Sequence, residues 1–182
     1  WEAGSERDLL AELVFCLLTP QSKAKVCWRA VKEMQRLKLF ENPELKKIES
    51  ALSGVRFKRK KAEYVAEAIR KFDGRLRDLL QRFSSAAEAR AWIAKNIRGL
   101  GYKEASHFLR NVGYSGELAI LDRHILKNLK GLRVISEIPA SLSAKKYLEI
   151  EAAMQKFSNQ IGIPMGELDL LLWALETGEV FK

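Results

Sequence analysis

The chain has 182 residues, 47% of them hydrophobic and 30% charged, a composition that excludes an intrinsically disordered protein and suits a globular fold. No run of about 18 apolar residues occurs, which excludes a transmembrane helix, and the two cysteines are too few for a disulfide framework or a four-cysteine metal site. The net charge of +9, from 32 Lys and Arg against 23 Asp and Glu, favours a polyanionic partner.

The spacing of apolar residues predicts helices along the first half of the chain, and no segment alternates with the period of a strand. Ser5 to Asp8 has the pattern of a capping box and predicts a first helix, which Thr19-Pro20-Gln21-Ser22 interrupts. Further helices are predicted from about Val26 to Leu37, from Asn42-Pro43, from Lys58 to Phe72 and after a second capping box at Ser85–Glu88.

The second half continues the helical pattern after a tight turn. Ile97 to Tyr102 contains two glycines separated by one residue, which allow close backbone approach and predict a hairpin. A short helix then ends at Gly113, Asp122 opens another, and two more are predicted near 143–160 and 165–176. We therefore expect an all-α fold of about ten helices. We expect it to form a single unit over 1–182, with one lobe from about 20–130, including the hairpin at 97–113, and a second from 1–19 plus 131–182.

Lys103 and Asp122 each stand at the start of a predicted helix. An amine attacks only in its neutral form, so the start of a helix, where the dipole disfavours added positive charge, suits a nucleophilic lysine. A carboxylate at a helix N-cap accepts backbone N–H groups. Together they suit displacement at a carbon that develops positive charge, with the lysine attacking and the carboxylate stabilising the cation or relaying a proton. Taken singly, a lysine and an aspartate at such positions are more often a surface lysine after a turn and an ordinary helix cap, so the joint pattern carries the prediction.

The residues around this pair resemble a known signature. Two stretches of the chain together resemble the helix–hairpin–helix and Gly/Pro-rich-loop–Asp motif of the base-excision DNA glycosylase superfamily. They are Gly99-Leu100-Gly101-Tyr102-Lys103-Glu104-Ala105-Ser106-His107-Phe108-Leu109-Arg110-Asn111-Val112-Gly113 and Ile120-Leu121-Asp122-Arg123-His124. The longer string is similar to the compact 8-oxoguanine DNA glycosylase/AP lyase family of archaea and some thermophilic bacteria. The resemblance implies a two-lobed helix–hairpin–helix fold.

The resemblance also implies an activity in base-excision repair. A flipped 8-oxoguanine is excised when the Lys103 amine attacks the deoxyribose C1′, with Asp122 assisting. The resulting Schiff base then permits β-elimination, which cleaves the abasic strand. Lys103 thus argues for a bifunctional glycosylase and lyase, since a monofunctional enzyme has no need of the lysine.

The sequence lacks features of other branches of the superfamily, which argues against those branches. The segment after Asp122 has no cysteine, which argues against the iron–sulfur relatives, such as the thymine-glycol endonuclease and the adenine glycosylase. The chain is also too short and too helical for the extra β-domain of the eukaryotic-type enzyme. His107 and His124 are too few for a metal site, so no metal or other cofactor is expected. Hairpin carbonyls often hold a monovalent cation in the superfamily, and a single sequence leaves that open.

Three segments are candidates for binding DNA. Gln21 lies in a loop that, in the superfamily, probes the duplex from the minor-groove side and fills the space left by the flipped base; a plain helix–helix turn is the alternative. The run Arg56–Lys61 has five cations and one aromatic residue in six positions. This composition predicts phosphate contacts by the cations and stacking of Phe57 on opposite-strand bases. The alternative is a solvated helix start, which is more common for such runs. Backbone N–H groups at Gly99 and Gly101 are expected to hold phosphate. The candidate DNA-binding residues are Gln21, Arg56, Phe57, Lys58, Arg59, Gly99 and Gly101.

Residues near the end of the chain are candidates for recognising the base. 8-Oxoguanine differs from guanine in carrying a hydrogen at N7, so a hydrogen-bond acceptor there discriminates between them. The α-carboxylate of Lys182 is such an acceptor, and the resembling family has its terminal lysine close to the damaged base. Trp173 can stack on the flipped base or serve as an ordinary core residue, and Asp169 is a further candidate for a hydrogen bond to the base edge.

Two other functions stay open at this point. One is a glycosylase of the same fold acting on another damaged base, and the other is a non-catalytic helix–hairpin–helix DNA-binding module, which has no need of Lys103 and Asp122. We expect a monomer that binds double-stranded DNA containing 8-oxoguanine and makes no membrane contact. The sequence has no hydrophobic signal segment, so we expect an intracellular, cytoplasmic protein that acts on chromosomal DNA.

Overall fold

The computed structural model describes residues 4–178. Over this range the protein consists of ten helices without a strand, which confirms the predicted all-α fold. None of these helices is both long enough and apolar enough to cross a membrane. The helices are α1 (Glu6–Leu18), α2 (Ala24–Arg36), α3 (Leu45–Ala51), α4 (Lys58–Phe72), α5 (Leu76–Leu80), α6 (Ala86–Asn96), α7 (Tyr102–Asn111), α8 (Arg123–Gly131), α9 (Ala144–Ile161) and α10 (Met165–Thr177).

The predicted capping residues start two helices. At α1, Ser5 Oγ accepts the Asp8 N–H at 3.1 Å and the Asp8 carboxylate accepts the Ser5 N–H at 3.0 Å, so the capping box is confirmed. At α6, Ser85 Oγ accepts the Glu88 N–H at 3.2 Å. The Glu88 carboxylate, however, accepts from the N–H of Ser84 at 2.9 Å, so the second half of this box is displaced by one residue.

Two short helices differ from the sequence prediction. The helix predicted from Asn42-Pro43 begins only at Leu45, because Asn42 belongs to a preceding turn in which its N–H donates to Lys38 and its carbonyl accepts from Glu44. The five-residue α5 was not predicted, since it is too short to show periodicity. The Glu6 carboxylate stabilises it by accepting the first N–H groups of α5, at 3.0 and 2.9 Å.

The interior divides into a larger core built from residues between 9 and 118 and a smaller core built from residues between 119 and 172. Helix α1 is buried on nearly all sides and packs on α2, α4, α5 and α7 within the larger core. Helices α8, α9 and α10 enclose the smaller core. The sequence analysis placed residues 1–19 in the second lobe, whereas the described part of α1 lies in the larger core. The division into lobes stays a prediction.

The hairpin between α6 and α7 packs closely on its neighbours. Gly99 has a φ of +95°. A Cβ atom at this position would lie 2.5 Å from Cδ2 of Tyr64 and 3.2 Å from Cδ2 of Leu17. The close approach predicted from the two glycines is therefore present, and it brings the hairpin against α4 and α1.

Replacing Gly99 by alanine is expected to destabilise the protein by roughly 2–4 kcal/mol, from backbone strain combined with the clash against Tyr64. Thermal or urea unfolding measures this change. Gly131→Ala is the matched control, because a Cβ there meets no atom within 4 Å, and a helical alanine should instead add about 0.5–1 kcal/mol. Equal stability of the two variants would contradict the close packing of the hairpin.

Candidate active site

Lys103 lies in the first turn of α7, directly after the hairpin. Its side chain is 26% exposed and lines a surface cleft of about 590 Å³, together with Gly101, Tyr102, Glu104 and Tyr147 among others. The Lys103 Nζ is 3.0 Å from Oε1 of Glu104. The amine is thus accessible from the cleft but held in a defined direction.

Glu104 was not singled out from the sequence. Its second oxygen accepts the N–H of Gly101 at 3.3 Å, so one carboxylate contacts both the hairpin and the Lys103 amine. The carboxylate can therefore orient the amine and receive the proton that the amine must lose before it attacks. Its position three residues after the N-cap Gly101 is the capping-box spacing, which was the available signal.

Asp122 is the N-cap of α8, as predicted. Its Oδ1 accepts the N–H groups of His124 at 2.8 Å and Ile125 at 2.9 Å. Within residues 4–178 its Oδ2 accepts no hydrogen bond, and the side chain is half-buried. One carboxylate oxygen therefore caps the helix, and the other keeps its acceptor capacity with respect to residues 4–178.

The backbone just before Asp122 is held by side chains of the smaller core. The N–H groups of residues 119–121 donate in turn to Glu151 at 2.9 Å, Asp169 at 3.0 Å and the Tyr147 hydroxyl at 3.2 Å. Tyr147 also lines the cleft that contains Lys103. A single side chain thus connects the wall of the cleft to the segment that ends at Asp122.

Two arginines form ion pairs with the two carboxylates that accept hydrogen bonds from this segment. Arg90 of α6 is 1% exposed and forms a two-bond ion pair with Glu151, at 2.5 and 2.7 Å. Its guanidinium also lies 5.1 and 5.5 Å from the ring centroids of Tyr102 and Tyr147. Arg110 of α7 hydrogen-bonds to Asp169. Both pairs join α6 and α7 to α9 and α10, and neither was predicted from the sequence.

Replacing Arg90 by methionine is expected to cost roughly 3–5 kcal/mol, because it leaves Glu151 partly buried without its counter-ion. Arg36→Met is the matched control: Arg36 also makes two bonds to one glutamate, Glu33, but on the surface, where such a pair contributes about 0–1 kcal/mol. Urea unfolding of both variants tests this. A loss below about 1 kcal/mol in Arg90→Met would contradict a structural role for the buried pair.

The candidate base-recognition residues have different surroundings. Asp169 is 2% exposed, and burial raises the pKa of its carboxyl to about 6, although Arg110 opposes the shift. Its Oδ2 already accepts from Arg110 and the Ile120 N–H, so a contact with the base edge stays a prediction. Trp173 is half-buried against the smaller core, which is compatible with both roles considered for it. Lys182 lies outside the described residues.

The candidate DNA-binding residues are exposed, and two have unusual backbone geometry. Gln21 has a φ of +55°, and Phe57, which precedes α4, has a φ of +58° with 59% of its surface exposed. The Arg56 guanidinium carbon lies 5.3 Å from the centroid of the Phe57 ring. Left-handed backbone at residues other than glycine concentrates at functional positions. Arg56, Lys58 and Arg59 are exposed, whereas Lys61 of the same run is buried, at 5% exposure.

The histidines occupy different environments. His107 is buried and its ring packs edge-on against Phe15, with centroids 5.6 Å apart. His124 Nδ1 is 3.9 Å from a carboxylate oxygen of Glu176. Over residues 4–178 no group of three or more His, Cys, Asp or Glu side chains is arranged to hold a metal ion.

Comparison with known proteins places this chain in a family. The sequence model of the 8-oxoguanine DNA glycosylase family matches residues 1–163. The chain is 47% identical over 186 residues to an 8-oxoguanine DNA glycosylase/AP lyase of Fusobacterium nucleatum, covering 100% of this chain and 86% of the relative. It is 43% identical to one of Korarchaeum cryptofilum, covering 98% and 84%.

A solved structure agrees with these relatives. It is the crystal structure of the Methanocaldococcus jannaschii 8-oxoguanine glycosylase/lyase in complex with 15mer DNA containing 8-oxoguanine. The two chains superpose with a TM-score of 0.91 at 40% identity, covering 100% of this chain and 86% of the other. On the fold, the family match and the identity to these relatives, the chain belongs to the 8-oxoguanine DNA glycosylase family.

Proposed function

We propose that this protein excises 8-oxoguanine from double-stranded DNA and cleaves the resulting abasic strand. One observation carries the proposal: the Lys103 amine is held by Glu104 in an open cleft, and a wall of that cleft, Tyr147, anchors the backbone leading to Asp122. A DNA-binding module has no need of an amine that a carboxylate holds in an open cleft. The relatives named above carry the same pair of activities in their names.

In the proposed reaction, the damaged nucleotide is extruded from the duplex so that its C1′ reaches the cleft. The neutral Lys103 amine, after losing a proton, attacks C1′, and the bond from C1′ to the base breaks with its electron pair leaving on the base, which takes up a proton. The carboxylate of Asp122 stabilises the positive charge that develops on the sugar. Opening of the sugar ring leaves a Schiff base between Lys103 and C1′.

The Schiff base accounts for the second activity. It acidifies the hydrogen on C2′, so a base removes that proton and the C3′–O bond breaks, releasing the 3′ phosphate. Water then hydrolyses the Schiff base and restores the lysine. Glu104, which contacts the Lys103 amine at 3.0 Å, can exchange protons at this nitrogen.

The candidate DNA-binding and base-recognition residues are proposed to bind the duplex and to select the damaged base. Cations at Arg56, Lys58 and Arg59 contact phosphates, Phe57 stacks on the opposite strand, Gln21 fills the vacated space, and Gly99 and Gly101 present backbone N–H groups to phosphate. Trp173, Asp169 and the α-carboxylate of Lys182 are proposed to surround the base. The protein is proposed to act as a monomer on chromosomal DNA inside the cell. It needs no organic cofactor, and the hairpin carbonyls offer a place for a monovalent cation.

Borohydride trapping tests the proposed function. The protein is incubated with duplexes carrying 8-oxoguanine, guanine, other damaged bases or a preformed abasic site. We expect a covalent protein–DNA adduct and strand cleavage with 8-oxoguanine and with the abasic site, but not with guanine. Adducts formed only with a different damaged base would favour the same-fold glycosylase of other specificity. Binding without an adduct on any duplex would favour the non-catalytic module.

A further inference from the structure

The buried lysine of the basic run contacts the loop between α1 and α2. Lys61 Nζ donates to the carbonyls of Leu18 and Pro20, both at 2.7 Å, and to the hydroxyl of Ser22 at 3.1 Å. An ammonium has three N–H donors, so these three bonds satisfy it completely. Lys61 therefore cannot also contact DNA in this arrangement, unlike the exposed cations around it.

The contacts of Lys61 flank Gln21. Pro20 and Ser22 are its two neighbours in the chain, and both are held by the same ammonium. Gln21 itself is exposed and has a left-handed backbone, a conformation that costs roughly 1–2 kcal/mol for a residue with a Cβ. The Lys61 contacts hold the loop in this conformation and so direct the amide side chain outward.

The same contacts reach the second candidate DNA-binding segment. Ser22 Oγ accepts the backbone N–H of Arg56 at 3.0 Å, and the next residue, Phe57, is also exposed and has a left-handed backbone. The buried Lys61 and the half-buried Ser22 thus connect two exposed segments with left-handed backbone that are far apart in the sequence.

Burying the charged ammonium of Lys61 costs free energy. Burial lowers the pKa of Lys61. Cys27 beside it is a neutral thiol, since burial raises its pKa to about 11. Within residues 4–178 Lys61 forms no ion pair with a carboxylate, although the charge of Glu104 opposes the lowering of its pKa. An apolar side chain would avoid the cost of burying a charge, but it would leave the carbonyls of Leu18 and Pro20 without this donor. Three directed hydrogen bonds, by contrast, are what fixing a loop requires.

We propose that Lys61 is a positioning residue that, with Ser22, holds Gln21 and the Arg56–Phe57 turn as one rigid surface against the DNA around the extruded nucleotide. The inference rests on the proposed function, because it concerns how the DNA is engaged before the chemistry at Lys103. Lys61 then acts through Gln21, and its loss impairs excision from an intact duplex more than it impairs the Schiff-base chemistry.

A double-mutant cycle between Lys61→Met and Gln21→Ala tests this. Excision of 8-oxoguanine from duplex DNA is measured under single-turnover conditions. Each single variant is expected to slow excision roughly tenfold, and the double variant no more than the slower of the two. Lys60→Met is the control, since Lys60 is an exposed cation that pairs with Glu63 at 3.5 Å and has no contact with the loop. Whatever its own effect, that effect should multiply with the effect of Gln21→Ala.

Two further measurements separate positioning from general damage to the fold. Strand cleavage at an abasic site in single-stranded DNA should change less than about threefold in Lys61→Met, while a fluorescent base analogue next to the lesion should report reduced unstacking. Ser22→Ala, which removes one acceptor of Lys61 with little loss of volume, should show the same coupling to Gln21→Ala if Lys61→Met does not fold. Multiplicative losses in the cycle, or an equal loss of abasic cleavage, would overturn the proposal. Absence of 8-oxoguanine excision by the unaltered protein would instead contradict the proposed function itself, and this inference with it.

Discussion

Replacing Lys103 by glutamine is expected to abolish the borohydride-trapped adduct and to slow both base excision and strand cleavage by roughly 10³-fold or more, as loss of a nucleophile does in other enzymes. Glutamine has a similar reach but no nucleophilic amine, so no Schiff base can form with C1′. The adduct is measured by its retarded migration in a denaturing gel. Binding of the same duplex, measured by fluorescence anisotropy, should change little.

The matched control is Lys156→Gln. Lys156 is exposed on α9, and its replacement changes the net charge of the protein by the same amount. It should trap as efficiently as the unaltered protein, which separates the loss of one particular amine from a general loss of attraction to DNA. An adduct retained in Lys103→Gln would assign the nucleophile to a different residue.

Replacing Asp122 by asparagine is expected to slow base excision by roughly 10²–10⁴-fold while the protein stays folded. Asparagine caps a helix about as well as aspartate, and its carbonyl oxygen can replace Oδ1 as the acceptor for His124 and Ile125. The variant therefore removes the negative charge and keeps the cap. Single-turnover excision rates measure the effect, and an unchanged melting temperature shows that the helix persists.

Two further variants make this prediction specific. Asp122→Ala removes both the charge and the cap, so it should be as slow as Asp122→Asn and also less stable by about 1 kcal/mol. Asp73→Asn, at an exposed position just beyond α4, should leave the excision rate unchanged. If Asp122→Asn excised 8-oxoguanine at an undiminished rate, the carboxylate would have no catalytic role and would serve only as a helix cap.

Local features of this protein were predictable because they depend on neighbouring residues. The capping box at Ser5 and the cap at Asp122 involve contacts within about four residues. The turn at the hairpin glycines is also set by its own residues, although the side chains packed against Gly99 come from α4 and α1. Helix periodicity is similarly local, and it failed only where the helix was very short, as at α5, or where a turn competed for the same backbone groups, as at Asn42.

The environment of ionisable residues was predictable only in part. Five cations in the six positions of Arg56–Lys61 are typical of a solvated or DNA-binding surface, yet Lys61 is buried while the other four cations are exposed. A helix beginning at Lys58 places successive side chains about 100° apart, so one member of any such run can face the core. Which one does depends on acceptors supplied by α1 and the loop after it, 39–43 positions away in the sequence.

The sequence by itself determined that this protein is helical, that a glycine hairpin precedes Lys103, that Asp122 caps the following helix, and that the pair resembles one glycosylase family. Only the tertiary structure decided how these parts are held. Arg90 pairs with Glu151 and Arg110 with Asp169 across separations of 61 and 59 positions, and Lys61 closes the loop that presents Gln21. The physical reason is that capping and periodicity act within a turn or two, whereas a buried charge is stable only beside partners that folding brings to it from elsewhere in the chain.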